Sequence, residues 1–149
     1  MVLFCFTLRL AHVSGLSMEP TVPVDSLVLV STLDFRFLPP HVGDVIAFVH
    51  DRVGPEIFVK RVIATPGERV VEVNGVMLVN GRAIDDGTER VFDRRSTALT
   101  LLPEQRYYVV GDNRPESDDS RNWGPIRRSS LIGRVDAVLW PIAGMRLVR

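Results

Sequence analysis

The sequence predicts a mainly β domain of small antiparallel sheets or a distorted barrel, and three observations predict it. Short runs rich in Val, Ile and Leu recur between turn residues along most of the chain. Ten prolines and eleven glycines are spread through its 149 residues. Beyond the N-terminus no window carries a convincing helical period. Short strands broken by frequent turns suit small sheets or a barrel rather than layers of helices.

The expected strands are 26–30, 44–49, 57–64, 69–73, 76–79, 107–110 and 131–140. Asn74-Gly75 separates two of them, a strong hairpin signal because both positions tolerate φ > 0. Asn80-Gly81 offers a second turn just after. Residues 85–104, with Arg94-Arg95, read as a polar loop or the tip of a ribbon. Residues 33–40 place Phe35, Phe37 and Leu38 ahead of two prolines. That segment reads first as core, with an apolar edge touching a membrane surface as the alternative. There is no internal repeat or low-complexity tract.

The N-terminal stretch 1–13 is apolar but broken by Arg9 and His12. It is too short to span a bilayer, which takes roughly 20 apolar residues, and it lacks the basic start and small-residue cleavage site of a secretory signal. A core strand, an interfacial segment and the tail of a transmembrane helix are the three readings. The last two, a partial anchor or interfacial segment preceding a domain over 14–149, are the expectation.

Composition narrows the function classes. Hydrophobic residues make up 46% and charged residues 24%, which is globular. Acidic and basic residues balance at 18 each, which removes a global electrostatic case for nucleic acid. A single cysteine, Cys5, excludes an internal disulfide and a cysteine-based metal site. The histidines His12, His41 and His50 are scattered without ligand spacing. No metal or cofactor is expected. Of the 18 basic residues, Lys60 is the only lysine. A base-composition bias explains the arginines and sharpens the question of why this lysine survives. Arginine stays protonated, whereas a buried lysine can lose its proton and act as a base.

Three segments carry possible chemistry. Residues 14–21, S-G-L-S-M-E-P-T, form a turn containing Ser17. Residues 57–68 set Lys60 inside an apolar strand whose alternation places Phe58, Lys60 and Val62 on one face. Burial there would lower the amine pKa toward what a general base needs. Residues 111–124, G-D-N-R-P-E-S-D-D-S-R-N-W-G, follow a strand directly. Asp112, Arg114, Asp119 and Arg121 form a candidate charge-assisted network within that loop, with Ser117 free to hold another side chain.

Together these segments resemble the type I signal peptidases, the Ser–Lys peptidases of family S26. The matching boxes are S-G-x-S-M-x-P-T at 14–21, G-D-V-I at 43–46, K-R-V-I-G-x-P-G-E at 60–68 with Ala64 in place of glycine, and G-D-N-x-x-x-S-x-D-S-R-x-x-G at 111–124. The resemblance implies Ser17 as nucleophile and Lys60 as general base. It implies Ser117 as the hydroxyl orienting the amine, Asp119 and Arg121 as the pair supporting that loop, and Asp112 and Arg114 in secondary structural roles. Some members carry a serine at the position of Gly15 that helps bind the oxyanion. Here the Ser17 backbone N–H and a second donor that the sequence does not name are expected, since in an extended segment Ser14 points the other way. The implied substrates are exported preproteins cut after small residues at −1 and −3. The implied setting is the outer face of the cytoplasmic membrane, with membrane lipid as a partner, a monomeric enzyme and a small β lobe at about 72–106. A self-cleaving repressor with the same dyad and an inactive peptide-binding module are the competing readings.

Overall fold

The computed structural model describes residues 7–50, 56–84 and 94–148. Strands β1 (Leu8–Val13) and β2 (Ser26–Ser31) precede a single helical turn, α1 (Asp34–Phe37). Strands β3 (Val45–Val49), β4 (Ile57–Ala64), β5 (Arg69–Val73), β6 (Val76–Val79) and β7 (Arg82–Ala83) follow. Then come β8 (Thr100–Leu101), β9 (Arg106–Val110), α2 (Ser120–Trp123), β10 (Ile126–Arg127), β11 (Leu131–Trp140) and β12 (Arg146–Leu147). The larger sheet runs β1-β2-β11-β3-β4-β9-β10, with β12 also on β11, and the smaller runs β7-β6-β5-β8.

The larger sheet curls into a half-barrel because its central strands are apolar on both faces. In β3, Val45 and Ala47 enter a cluster with Met18, Val22, Val28, Val59 and Val138. Ile46 and Phe48 face the opposite cluster with Val62, Tyr107, Val109 and Ile126. Such two-sided burial gives near-continuous apolar strands instead of clean alternation. β11 changes register on both its neighbours, and bulges of this kind sharpen the local twist. At Gly133 a Cβ would run into the Ser31 carbonyl oxygen and Val30, so glycine lets β2 and β11 approach there.

The smaller sheet packs through a third cluster, in which Ile63, Ala64, Tyr108 and Val110 of the large sheet meet Val70 and Met77. Both of its turns follow their chemistry. Asn74 and Gly75 have φ of 50° and 78°, and Asn80 and Gly81 have 52° and 79°, the paired positive φ of type I′ hairpins. The sheet's strands lie between Arg69 and Leu101.

Two apolar segments lie outside the central strands. Residues 8–13 are an edge strand pairing along its whole length with β2, not the end of a helix; residues 1–6 lie outside the described residues. Leu10 is 60% exposed while Val13 is buried, so the strand is amphipathic and sits at a sheet edge. Residues 33–40 divide between the two readings. Phe35 packs on the core beside Trp123 and Leu131, whereas Phe37 and Leu38 are exposed at 79% and 61%.

Candidate active site

Ser17 stands on a tight turn between β1 and β2. The turn is closed by Glu19 N–H to Leu16 O at 3.1 Å and Val22 N–H to Met18 O at 2.8 Å. It is nailed to the core by Met18 and Val22, at 1% and 0% exposure. Ser17 itself is half-buried and residues 14–16 are exposed. Asn113 clamps the turn from the loop after β9. Its backbone N–H donates to Ser17 O at 3.0 Å and its Nδ2 to Leu16 O at 3.1 Å. Among the described residues the Ser17 N–H donates to no acceptor, which leaves it able to receive a developing negative charge.

Lys60 comes from the middle of β4, opposite Ile46 of β3. Its side chain lies on the Phe58 face, with Nζ 6.0 Å from that ring's centre, and the residue is only 4% exposed. Nζ donates to Ser17 Oγ at 2.6 Å, so two residues far apart in sequence meet at hydrogen-bond distance. Burial pushes the amine below its ordinary pKa. Asp119, Asp118 and Asp112 pull it back up and Arg121 adds to the lowering, with a net fall.

Behind the dyad the loop 111–124 is organised by Asp119. Oδ2 accepts from Ser117 Oγ at 2.6 Å, Gly111 N–H at 3.0 Å and Arg121 Nη2 at 2.9 Å. Oδ1 accepts from Arg121 Nε at 2.8 Å and from the Arg121 N–H at 3.2 Å, capping α2. Burial alone would raise this carboxyl, but the bonds and charge of Arg121, with Ser117 and Gly111, hold it below the usual carboxylate range. Ser120 Oγ accepts from Val109 N–H at 3.0 Å, fastening α2 to β9.

The supporting residues have these partners. Ser117 gives its hydroxyl proton to Asp119, and no hydrogen bond joins it to Lys60 among the described residues. Its oxygen keeps lone pairs able to accept a further bond. Asp112 turns away from its own loop to take Arg61 in a two-point contact, Nε to Oδ1 at 2.8 Å and Nη2 to Oδ2 at 2.7 Å. Arg114 contributes its carbonyl oxygen, which accepts from Arg121 Nη2 at 2.7 Å.

The sequence reading passed over Arg61, Gly111 and Glu72. Arg61 also donates to Gly43 O at 2.7 Å and reaches Thr21 Oγ1 at 3.4 Å, so one guanidinium touches all four boxes. Its signal was its place beside Lys60, which alternation turns to the opposite face. Ala64 is fully buried in the core between the sheets, so its methyl is accommodated there. Gly111 touches both halves of the site, since a Cβ there would overlap Ser117 Oγ and the Ser17 carbonyl oxygen. Gly111→Ala is therefore expected to displace the nucleophile turn and lower kcat/KM about 100-fold, the scale of a 1 Å misplacement. Steady-state kinetics alongside a thermal melt would separate that loss from unfolding.

Among the described residues no cluster of His, Cys, Asp and Glu is placed to hold a metal ion. Cys5 lies outside them. A cleft of about 1030 Å³ lined by residues including Arg9, Phe35, Arg128 and Leu131 takes in neither Ser17 nor Lys60.

Comparison with known proteins gives the family. A family model described as "Signal peptidase, peptidase S26" matches residues 1–140. The chain is 32% identical over 144 residues to signal peptidase I of Leptolyngbya laminosa, covering 92% of this chain and 71% of that one. It is 32% identical over 143 residues to signal peptidase I of Bacillus caldolyticus, covering 87% and 78%. A crystal structure of a signal peptidase I from Enterococcus faecalis V583 aligns with a TM-score of 0.53 at 29% identity. That alignment covers 65% of this chain and 97% of the other.

Proposed function

Because the chain belongs to the signal peptidase family, peptidase S26, and is a serine endopeptidase, we propose that it removes N-terminal signal peptides from exported preproteins with a Ser17–Lys60 dyad. The observation that carries this reading is the 2.6 Å contact between Ser17 Oγ and the Nζ of a lysine that is 4% exposed. Neutral Lys60 takes the hydroxyl proton as Ser17 Oγ attacks the scissile carbonyl carbon. The Ser17 N–H faces the oxyanion, the role that a serine side chain shares in relatives where this chain has Gly15. Collapse of the tetrahedral intermediate breaks the C–N bond, and Lys60 returns its proton to the leaving amine. Lys60 then takes a proton from the water whose oxygen attacks the ester carbon, and as the C–Oγ bond breaks it gives that proton to Ser17 Oγ, restoring the neutral amine and the free hydroxyl. Asp119 and Arg121 hold the loop that carries Ser117 and Gly111 against the dyad, and Asp112 holds Arg61.

The cleavage site would lie extended beside the exposed residues 14–16, adding a strand at the open site, with small residues at −1 and −3. Among the described residues no helix is long and apolar enough to cross a membrane. Attachment to the lipid surface on the extracytoplasmic side is proposed through exposed Leu10, Leu33, Phe37 and Leu38.

The test incubates the protein in detergent with a preprotein bearing Ala-x-Ala before its mature sequence. Wild type is expected to cut after the second alanine, and Ser17→Ala to lose at least about 10³-fold in kcat. Cleavage by Ser17→Ala at the wild-type rate would remove Ser17 as nucleophile.

A further inference from the structure

One buried carboxylate near the site has no part in the chemistry above. In β5, R-V-V-E-V, alternation turns Val70 and Glu72 to the same side, and that side is the core. Glu72 is 1% exposed. A carboxylate at that depth is costly unless it is paired. Its Oε1 lies 3.7 Å from Arg121 Nη1, and the Arg121 side chain is wholly buried. The other edge of the same guanidinium, Nε and Nη2, grips Asp119. Arg121 thus spans two carboxylates, one from the loop over the dyad and one from the four-stranded sheet. Glu72 is held by paired bonds to Thr97, its N–H to Thr97 Oγ1 at 3.0 Å and its C=O from Thr97 N–H at 2.9 Å.

We propose that Glu72 is a positioning residue for the peptidase reaction, holding Arg121 from behind so that Asp119, Ser117 and Gly111 keep Ser17 and Lys60 aligned. The inference rests on the Ser17–Lys60 reading and extends it, because it makes the small sheet part of the apparatus that sets the dyad. A methionine or leucine at 72 would fill the same space without the desolvation cost, and it would leave Arg121 tied from one side only.

The charges give the role a signature that packing alone would not. Lys60 is faced by Asp119, Asp118, Arg121 and Asp112. Glu72 faces Arg121 and Tyr108, whose phenol burial and the two carboxylates push up to about 12, leaving it neutral. Removing the Glu72 charge leaves the Arg121 cation less compensated. More positive surroundings disfavour the ammonium, so the Lys60 pKa falls further.

The experiment compares Glu72→Ala, Glu72→Gln and Ser17→Ala with wild type. Kinetics are measured on the Ala-x-Ala preprotein, and Lys60, the only lysine, is titrated by amine labelling against pH. Glu72→Ala is expected to lower kcat about tenfold with KM little changed, a partial misalignment on the scale that positioning commands, and to lower the Lys60 pKa. Glu72→Gln keeps the size and a polar oxygen facing Nη1, so it should recover most of kcat while the Lys60 pKa stays low. Wild-type kcat and wild-type Lys60 titration in both variants would overturn the proposal. Should Glu72→Ala fail to fold, Glu72→Gln decides by its titration, where an unmoved Lys60 pKa overturns it. An active Ser17→Ala would instead defeat the dyad reading, and the labelling result would still stand on its own.

Discussion

Lys60→Arg is expected to abolish cleavage at every pH up to at least 10, with a loss in kcat of the order of 10³-fold or more, although it keeps the positive charge. A guanidinium does not give up its proton in this range and so has no lone pair with which to take one from Ser17 Oγ. Preprotein cleavage assayed from pH 6 to 10 checks this, and full activity in the variant would defeat the general-base role. Lys60→Met should be equally inactive yet more stable near neutral pH. The sign follows from linkage. The Lys60 pKa is lowered in the folded protein, chiefly by burial, while the unfolded chain titrates near 10.4. Between those values the unfolded state binds the extra proton, so stability is complete above about 10.4 and is lost as pH falls toward the folded pKa. Methionine removes that loss. Urea unfolding of the two proteins at pH 7 and pH 10 should show the advantage of Lys60→Met shrinking at the higher pH.

Arg61→Met carries the second large effect, and it falls on stability. Arg61 and Asp112 side chains are 9% and 2% exposed, with Nη2 and Oδ2 2.7 Å apart. Removing one member of a buried pair strands the other charge, at a cost of about 3–5 kcal/mol. Against a total of about 5–15 kcal/mol for a domain, that is a large fraction. The double variant Arg61→Met with Asp112→Leu should recover much of the loss, since no charge is then stranded. A double-mutant cycle in urea reads the coupling, and additive losses would mean that the pair is not the source.

What could be read in advance follows from where the information sits. The central strands were readable because a buried strand must be apolar, and the Asn-Gly turns because their backbone conformation excludes most other residues. Strands of two residues, such as β7, β8, β10 and β12, have no period to detect. Residues 8–13 left strand, interfacial segment and helix tail all open because an amphipathic edge strand and a broken apolar helix share a composition. Lys60 stood out as a lone lysine in an apolar run, whereas Ser17 lies in an ordinary turn and was found through resemblance alone. Asp112 was read with its own loop because neighbours in sequence are the partners a sequence displays, whereas Ser117 was given to the amine by resemblance alone. In the folded protein Asp112 pairs with Arg61 on β4 and Ser117 donates to Asp119 two residues on. Glu72 left a trace, an acid at an inward position of a strand, that only its pairing with Arg121 makes meaningful.

Arg61 touches the nucleophile turn at Thr21, the Gly43 carbonyl and Asp112, from the strand that carries Lys60. For a protease made in a cell full of other polypeptides, that junction works as an interlock. A chain still emerging from the ribosome, or one that has lost a segment, cannot complete the ties around this residue.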